Sequence, residues 1–433
     1  YTSDGILTVG GPDMFDVRIS TGPTVLLPIA ALLGIGVEPV LAGRIVGALY
    51  YGVLLAALAV LGSRLAGRWG ALVAAAVPLT LNSMPYPSPL QGPTDILGEV
   101  PAAAFLALFL ANFTRHPLAA ALALGLAVQS KTLAVVAVPV ALVALFVATQ
   151  GEQVRVRLGR TALAAAVAAA PTLLFELAKL LTLGPGGYLE STRALYHFLR
   201  SGGQSGYSVS VGEKLVKLAD SWFLPWPLVV AVALGGLVVV AVGIARREAG
   251  GAHGPDRPDA FVAGAAGGIL ALWLGWWTVS SGQPLWIRHP SPALLAALPV
   301  VVVFTLARGV ALVRGRRAVV AGGAAALVAC LAWQAGAHIA AAYTPAETLA
   351  EQRAFADRIR DLPGDRLRGD WGDLPSLSVL AGKHAVLLDR DPSGSSPVLL
   401  ERVWGEEAVR AAQEEWCGRT LLLSERYLVC EAG

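Results

Sequence analysis

Apolar stretches long enough to cross a hydrocarbon core recur from Leu41 to Tyr343, and only short polar breaks separate them. One helical crossing takes about 20 residues, and inside lipid each backbone amide must find its partner within the protein. A β-barrel would meet that demand with alternating segments of about ten residues. Runs such as Leu54–Leu61 and Leu228–Val242 are apolar at consecutive positions instead. The chain therefore reads as an all-α polytopic membrane protein, in line with 55% hydrophobic and 15% charged residues. A net charge of +3, spread over short clusters rather than one basic stripe, excludes a nucleic-acid binder.

Those clusters set the topology, because basic breaks between apolar runs face the cytoplasm. Five are present: Arg64 and Arg68; Arg115 and His116; Arg155, Arg157 and Arg160; Arg246 and Arg247; and Arg308, Arg314, Arg316 and Arg317. Alternation between them predicts ten crossings, at residues 38–62, 70–83, 99–114, 118–130, 133–149, 161–182, 223–245, 259–280, 291–307 and 318–342. Residues 1–37, 84–98, 183–222, 281–290 and the tail then lie on the outer side of a bacterial inner membrane. The turn at Gln129, Ser130 and Lys131 is expected to be recessed, surrounded by protein or water. Residues 23–35 are apolar but short and hold Pro23 and Pro28, which suits a helix in the interface. A further membrane helix is expected before Tyr1.

Residues 1–343 are thus expected to form the membrane domain and residues 344–433 a small extracytoplasmic α/β domain. The tail predicts a helix over 347–359 and strands at 385–388, 398–400, 421–423 and 427–429. Cys417 and Cys430 lie in it, either bridged on an oxidising face or as a pair of free thiols.

The first outer loop, YTSDGILTVGGPDMFDVRISTGPTVLLP, holds Asp4, Asp13 and Asp16. A general base needs an ionised carboxylate beside a hydroxyl, and a metal needs a second acid within reach; solvated loop acids are the plain alternative. The proline-rich second loop leads to Asp95, which also suits a helix cap, and to Glu99. An acid in an apolar helix is expensive, so Glu99 is a functional candidate. Lys131, Lys179, Arg288 and His289 are the polar groups suited to an anionic substrate. Glu176 with Lys179 also reads as an ion pair one helical turn apart, and Arg288 as a side chain reaching lipid headgroups. Trp273, Trp276, Trp277 and Trp286 read as an aromatic belt at the outer interface. No P-loop, HExxH, CxxC or GxSxG pattern occurs, which argues against an ATP-driven pump, a zincin or an α/β-hydrolase.

Taken in order, Asp4, the Phe15–Asp16 step before ISTGPTVLLP and GRIVGALYYG, Asp95, and Ser130–Lys131 within LGLAVQSKTLAVV resemble the GT-C glycosyltransferases. Within them the match is to the protein O-mannosyltransferase and aminoarabinose-transferase group. Gly5 follows Asp4 where that group often has Glu, and ISTGP replaces its His-Pro-Pro or Lys-Pro-Pro step. The resemblance implies a polyprenyl-phosphate-sugar donor and a glycan, lipid or protein acceptor. Asp4 would be the base of an inverting transfer, with Asp16 and Asp95 orienting the sugar. It leaves room for a divalent cation on Asp4 and Asp16, with no cofactor required. Lys131 and Arg288 would stabilise the leaving phosphate, with Glu99, Lys179 and His289 as further substrate contacts. A lipid transporter or flippase is the rival reading, although transporters place their ionisable groups near the bilayer midplane. A membrane scaffold whose tail docks a partner is the third.

Overall fold

The computed structural model describes residues 22–80, 98–200, 209–221, 257–280, 287–313, 317–343, 347–370, 372–388, 394–402 and 405–433, with a few positions between 227 and 242. The chain divides into two compact units. One is Thr21–Leu177 with Arg200–Tyr343; the other takes in Ala178–Leu199 and Thr344–Gly433.

The first unit is helical. α1 (Pro23–Gly34) starts with proline at its first position, where the missing N–H costs nothing. α2 (Pro39–Ala76) is capped by Glu38, whose carboxylate accepts the Leu41 amide at 2.9 Å. α2 breaks at Ala66 and Gly67, the latter at φ 63°. A Cβ on Gly62 would overlap the Gly70 carbonyl. Eight residues of straight helix would separate those two by about 12 Å, so the limbs fold back on one another at the predicted Arg64–Arg68 turn. α3 (Glu99–Asn112) is apolar all round and lies in the core, with Val100, Ala102, Ala103, Ala104, Leu106 and Phe109 fully buried. α4 (Pro117–Ser130) packs against it, and a 3-10 turn (Thr132–Ala137) leads into α5 (Val138–Ala148).

α6 (Val154–Arg200) is interrupted at Gly184 and starts beside α5, where Arg157 donates to Phe146 O at 2.9 and 3.1 Å. After the short α7 (Val211–Asp220) come α8 (Arg257–Val279), α9 (Ser291–Ala296), α10 (Leu298–Leu312) and α11 (Arg317–Tyr343). Among the described residues four helical stretches are long and apolar enough to cross a membrane: Pro39–Thr80, Val154–Arg193, Asp259–Val279 and Ser291–Leu312. Ten crossings are not established. The predicted crossings at 99–114 and 118–130 appear as helices of 14 residues each, shorter than a bilayer requires. The predicted crossing at 223–245 lies mostly outside the described residues.

The tail is the expected α/β layer structure. Its five strands, β1 (Arg366–Gly369), β2 (His384–Leu387), β3 (Val398–Glu401), β4 (Cys417–Leu423) and β5 (Tyr427–Ala432), run in the order β2-β1-β3-β5-β4. β1 pairs in parallel with β2 and β3, whereas β5 is antiparallel to β3 and β4. Alternation along β3 and β5 sends Leu399, Tyr427 and Val429 to the face covered by α12 (Leu349–Arg360) and α13 (Leu374–Ala381). Val398, Leu400, Leu428 and Cys430 face α14 (Glu406–Trp416). Cys417 and Cys430 are bridged.

Candidate active site

Glu99 and Lys131, 32 residues apart in sequence, meet in an ion pair at 2.7 Å. Glu99 is the first residue of α3, where the helix start favours a negative charge. Its cap is Gly98, in the left-handed region at φ 98°. The Glu99 side chain is fully buried, while that of Lys131 keeps 20% exposure. Lys131 occupies the joint between α4 and the 3-10 turn, with extended backbone and its amide bonded to Ala127 O. Gln129 and Ser130 beside it are buried, as the recessed turn required.

Arg288 and His289 approach from the turn before α9. That turn is held by its carbonyls: Trp273 Nε1 donates to His289 O at 3.0 Å, and Ser291 Oγ to Arg288 O at 2.8 Å. Burial depresses His289 well below the ordinary histidine value, and the charges of Lys131, Arg288 and Lys214 add to the effect. The imidazole is therefore neutral at physiological pH. The same three charges tie these segments into one cationic cluster, in which Glu99 offsets Lys131.

Lys214 was not singled out by the sequence. It lies on α7, which is started by a capping box between Ser210 and Glu213. Its buried ammonium donates to Trp277 O and Ser280 O at 2.6 Å each, closing the C-terminal end of α8, and stands 5.4 Å from the Trp277 ring centroid. Burial lowers its pKa. The only advance signal was that capping box ahead of LVKLAD.

The tryptophan belt is corrected at two positions. Trp273 and Trp277 have no exposed surface. They stand one turn apart on the inward face of α8, where one fixes the His289 turn and the other underlies Lys214. Trp286 lies outside the described residues.

Lys179 is buried but belongs to the unit that contains the tail. Asp4, Asp13, Asp16 and Asp95 lie outside the described residues. Among the described residues no three His, Cys, Asp or Glu side chains gather to hold a metal ion.

No protein-family model matches the chain, and no curated protein matches it. Solved structures do. The crystal structure of ArnT from Cupriavidus metallidurans bound to undecaprenyl phosphate matches over 95% of this chain and 88% of that chain, with a TM-score of 0.60 at 12% identity. The apo structure of the same protein gives 0.58 at 15% identity, over 95% and 87%. The fold is that of ArnT. It agrees with the GT-C resemblance seen in the order of the sequence motifs, and at such identities it is the fold alone that is shared.

Proposed function

We propose that this chain is a membrane glycosyltransferase that takes its sugar from a polyprenyl-phosphate carrier and delivers it to an acceptor hydroxyl on the extracytoplasmic side. The observation that carries the reading is the cationic cluster of Lys131, Arg288 and Lys214 around His289, within an ArnT-like fold. The ArnT of the neighbouring structure is bound to undecaprenyl phosphate, the leaving group such a reaction would release.

In the proposed step the Asp4 carboxylate takes the acceptor's proton as the hydroxyl oxygen attacks the anomeric carbon from the face opposite the carrier. The bond from that carbon to the phosphate oxygen breaks, and the configuration inverts. The phosphodiester, singly charged, becomes a monoester approaching two charges, so fixed cations bind the departing group better than the donor. Lys131 and Arg288 fit that role, and neutral His289 can donate one ring N–H without adding charge. Glu99 holds the Lys131 ammonium in place. Asp16 and Asp95 would orient the sugar or, with Asp4, hold a divalent cation. Asp95 is only four residues before Glu99, and Asp16 six before Gly22, which packs on Gln129. The disulfide between Cys417 and Cys430 supports a tail on the oxidising face.

The test is release of carrier phosphate from a panel of undecaprenyl-phosphate sugars by the full chain in lipid nanodiscs, with Asp4→Asn in parallel. Turnover that Asp4→Asn abolishes is the expected result. A fully active Asp4→Asn protein removes Asp4 as base. Carrier lipid that binds and crosses between leaflets without losing sugar replaces the transferase by a transporter.

A further inference from the structure

Pro292 leaves the carbonyls of Arg288 and His289 without backbone donors. In a helical turn Arg288 O would accept the amide four residues on, and His289 O the amide three residues on. Both positions are Pro292, which has none. The neighbouring amides are engaged elsewhere: Ser291 N donates to Ile287 O at 3.0 Å, and Ala293 N and Leu294 N both donate to Pro290 O at 3.1 Å. Two side chains take the vacant acceptors. Ser291 Oγ donates to Arg288 O at 2.8 Å, and Trp273 Nε1, on α8, donates to His289 O at 3.0 Å. Both donors are fully buried, where an unmade hydrogen bond is costly.

The two bonds fix the peptide planes that follow Arg288 and His289, and with them the directions in which those side chains leave the backbone. From Ile287 to Ala297 every residue is buried except Arg288 and His289, which are half-buried. The turn thus presents one guanidinium and one imidazole and otherwise packs into the core. The charges of Lys131 and Lys214 both act on His289, which sets the turn beside those two lysines.

We propose that Trp273 and Ser291 are positioning residues for Arg288: the indole N–H and the serine hydroxyl hold the turn that aims the guanidinium at the carrier phosphate. This rests on the glycosyltransferase reading above, in which Arg288 stabilises the departing group. It separates from two simpler roles. Purely structural bonds would lower stability and leave turnover and carrier binding by the folded protein unchanged. A direct contact with the donor would act whether or not Arg288 is present. A positioning residue acts through Arg288 and has no further effect once Arg288 is gone.

The experiment compares Trp273→Phe, Ser291→Ala and Arg288→Ala, and each of the first two combined with Arg288→Ala, in nanodiscs. It measures kcat and KM on the donor panel, the Kd for free undecaprenyl phosphate, and the melting temperature. Trp273→Phe and Ser291→Ala should each lower kcat by about ten-fold, since small misplacements of a reacting group are costly. Each should weaken carrier binding by about ten-fold, as expected when a hydrogen bond to a charged group is lost. In the Arg288→Ala background both effects should shrink to within about two-fold. Normal kcat and Kd in Trp273→Phe and Ser291→Ala, where Arg288→Ala binds the carrier poorly, overturn the positioning role and spare the phosphate reading. Losses that persist at full size without Arg288 overturn it too, in favour of a direct contact. Unchanged carrier affinity in Arg288→Ala defeats the underlying assignment of Arg288 and the inference with it. Should Trp273→Phe fail to fold, Trp273→3-benzothienylalanine, which replaces the indole N–H by sulfur at nearly the same volume, is held to the same outcomes.

Discussion

The Glu99–Lys131 pair separates what a residue does for the fold from what it does for the reaction. Glu99 has no exposed surface, so removing its partner strands a carboxylate where water cannot reach it. Losing one member of such a pair costs about 3–5 kcal/mol, whereas replacing both by apolar or neutral groups of similar volume is often close to neutral. Lys131→Met should therefore lower stability sharply, and Lys131→Met with Glu99→Gln should recover most of it, as read by melting in nanodiscs. If Lys131 also holds the carrier phosphate, the double variant, though folded again, still binds undecaprenyl phosphate poorly. Recovery of both stability and binding would confine Lys131 to the fold. Glu99 and Lys131 could each be picked from the sequence because a charge amid apolar residues stands out. Their pairing could not, since 32 residues separate them and only the packing of α3 on α4 brings them together. Lys214 was harder still: VGEKLVKLAD looks like any exposed amphipathic turn, and its burial depends on the distant end of α8.

Helix packing in the membrane unit depends on backbone contact at glycine. Gly125 of α4 faces α6 so closely that a Cβ would overlap the Ala168 carbonyl, while Gly159, also in α6, has open space around it. Gly125→Val should destabilise by about 1–3 kcal/mol through overpacking, whereas Gly159→Ala should be neutral or stabilise by about 0.5–1 kcal/mol through the helix-propensity gain. Equal melting temperatures for the two variants would contradict the contact. Neither glycine can be told from the other by sequence. What was legible at this scale followed from physics acting locally. Arg64 and Arg157 marked breaks between apolar runs, and both also bond to carbonyls near helix ends, at Ala111 of α3 and Phe146 of α5. In the tail, β2, β3, β4 and β5 were visible as short apolar runs, but β1, with the sequence RLRG, was not. Its place in the sheet comes from the strands on either side, which bury Leu367 and Arg368 despite the flanking charges. α13, LPSLSVLA, carries too few polar residues to show a helical face.

The two units answer to different solvents, so conditions that leave the membrane unit untouched should act on the tail. Closing a loop as short as that between Cys417 and Cys430, 13 residues apart, contributes about 3 kcal/mol in the chain-entropy account, and reduction should loosen β4 and β5 first. A second control is protonic. Tyr427 Oη contacts both Glu347 and Asp373, at 2.8 Å for Asp373, and its one proton can serve only one of them. Arg426 lies 3.9 Å from each carboxylate. Next to them Glu401 accepts the Asp373 amide, yet burial, with the charges of Asp373 and Asp370 behind it, raises its pKa to about 7. The folded value stands above the ordinary 4.5, so the unfolded chain gives up that proton first. The stability contributed is whole below about pH 4.5, declines as pH rises towards about 7, and is flat above it. Hydrogen exchange of the amides at 427–432 in the full chain, corrected for intrinsic rate, should therefore show weaker protection at pH 8 than at pH 5. Glu401→Gln, which cannot ionise, should abolish most of that difference and protect the strand better at pH 8. If the pH dependence survives Glu401→Gln intact, Glu401 is not its source.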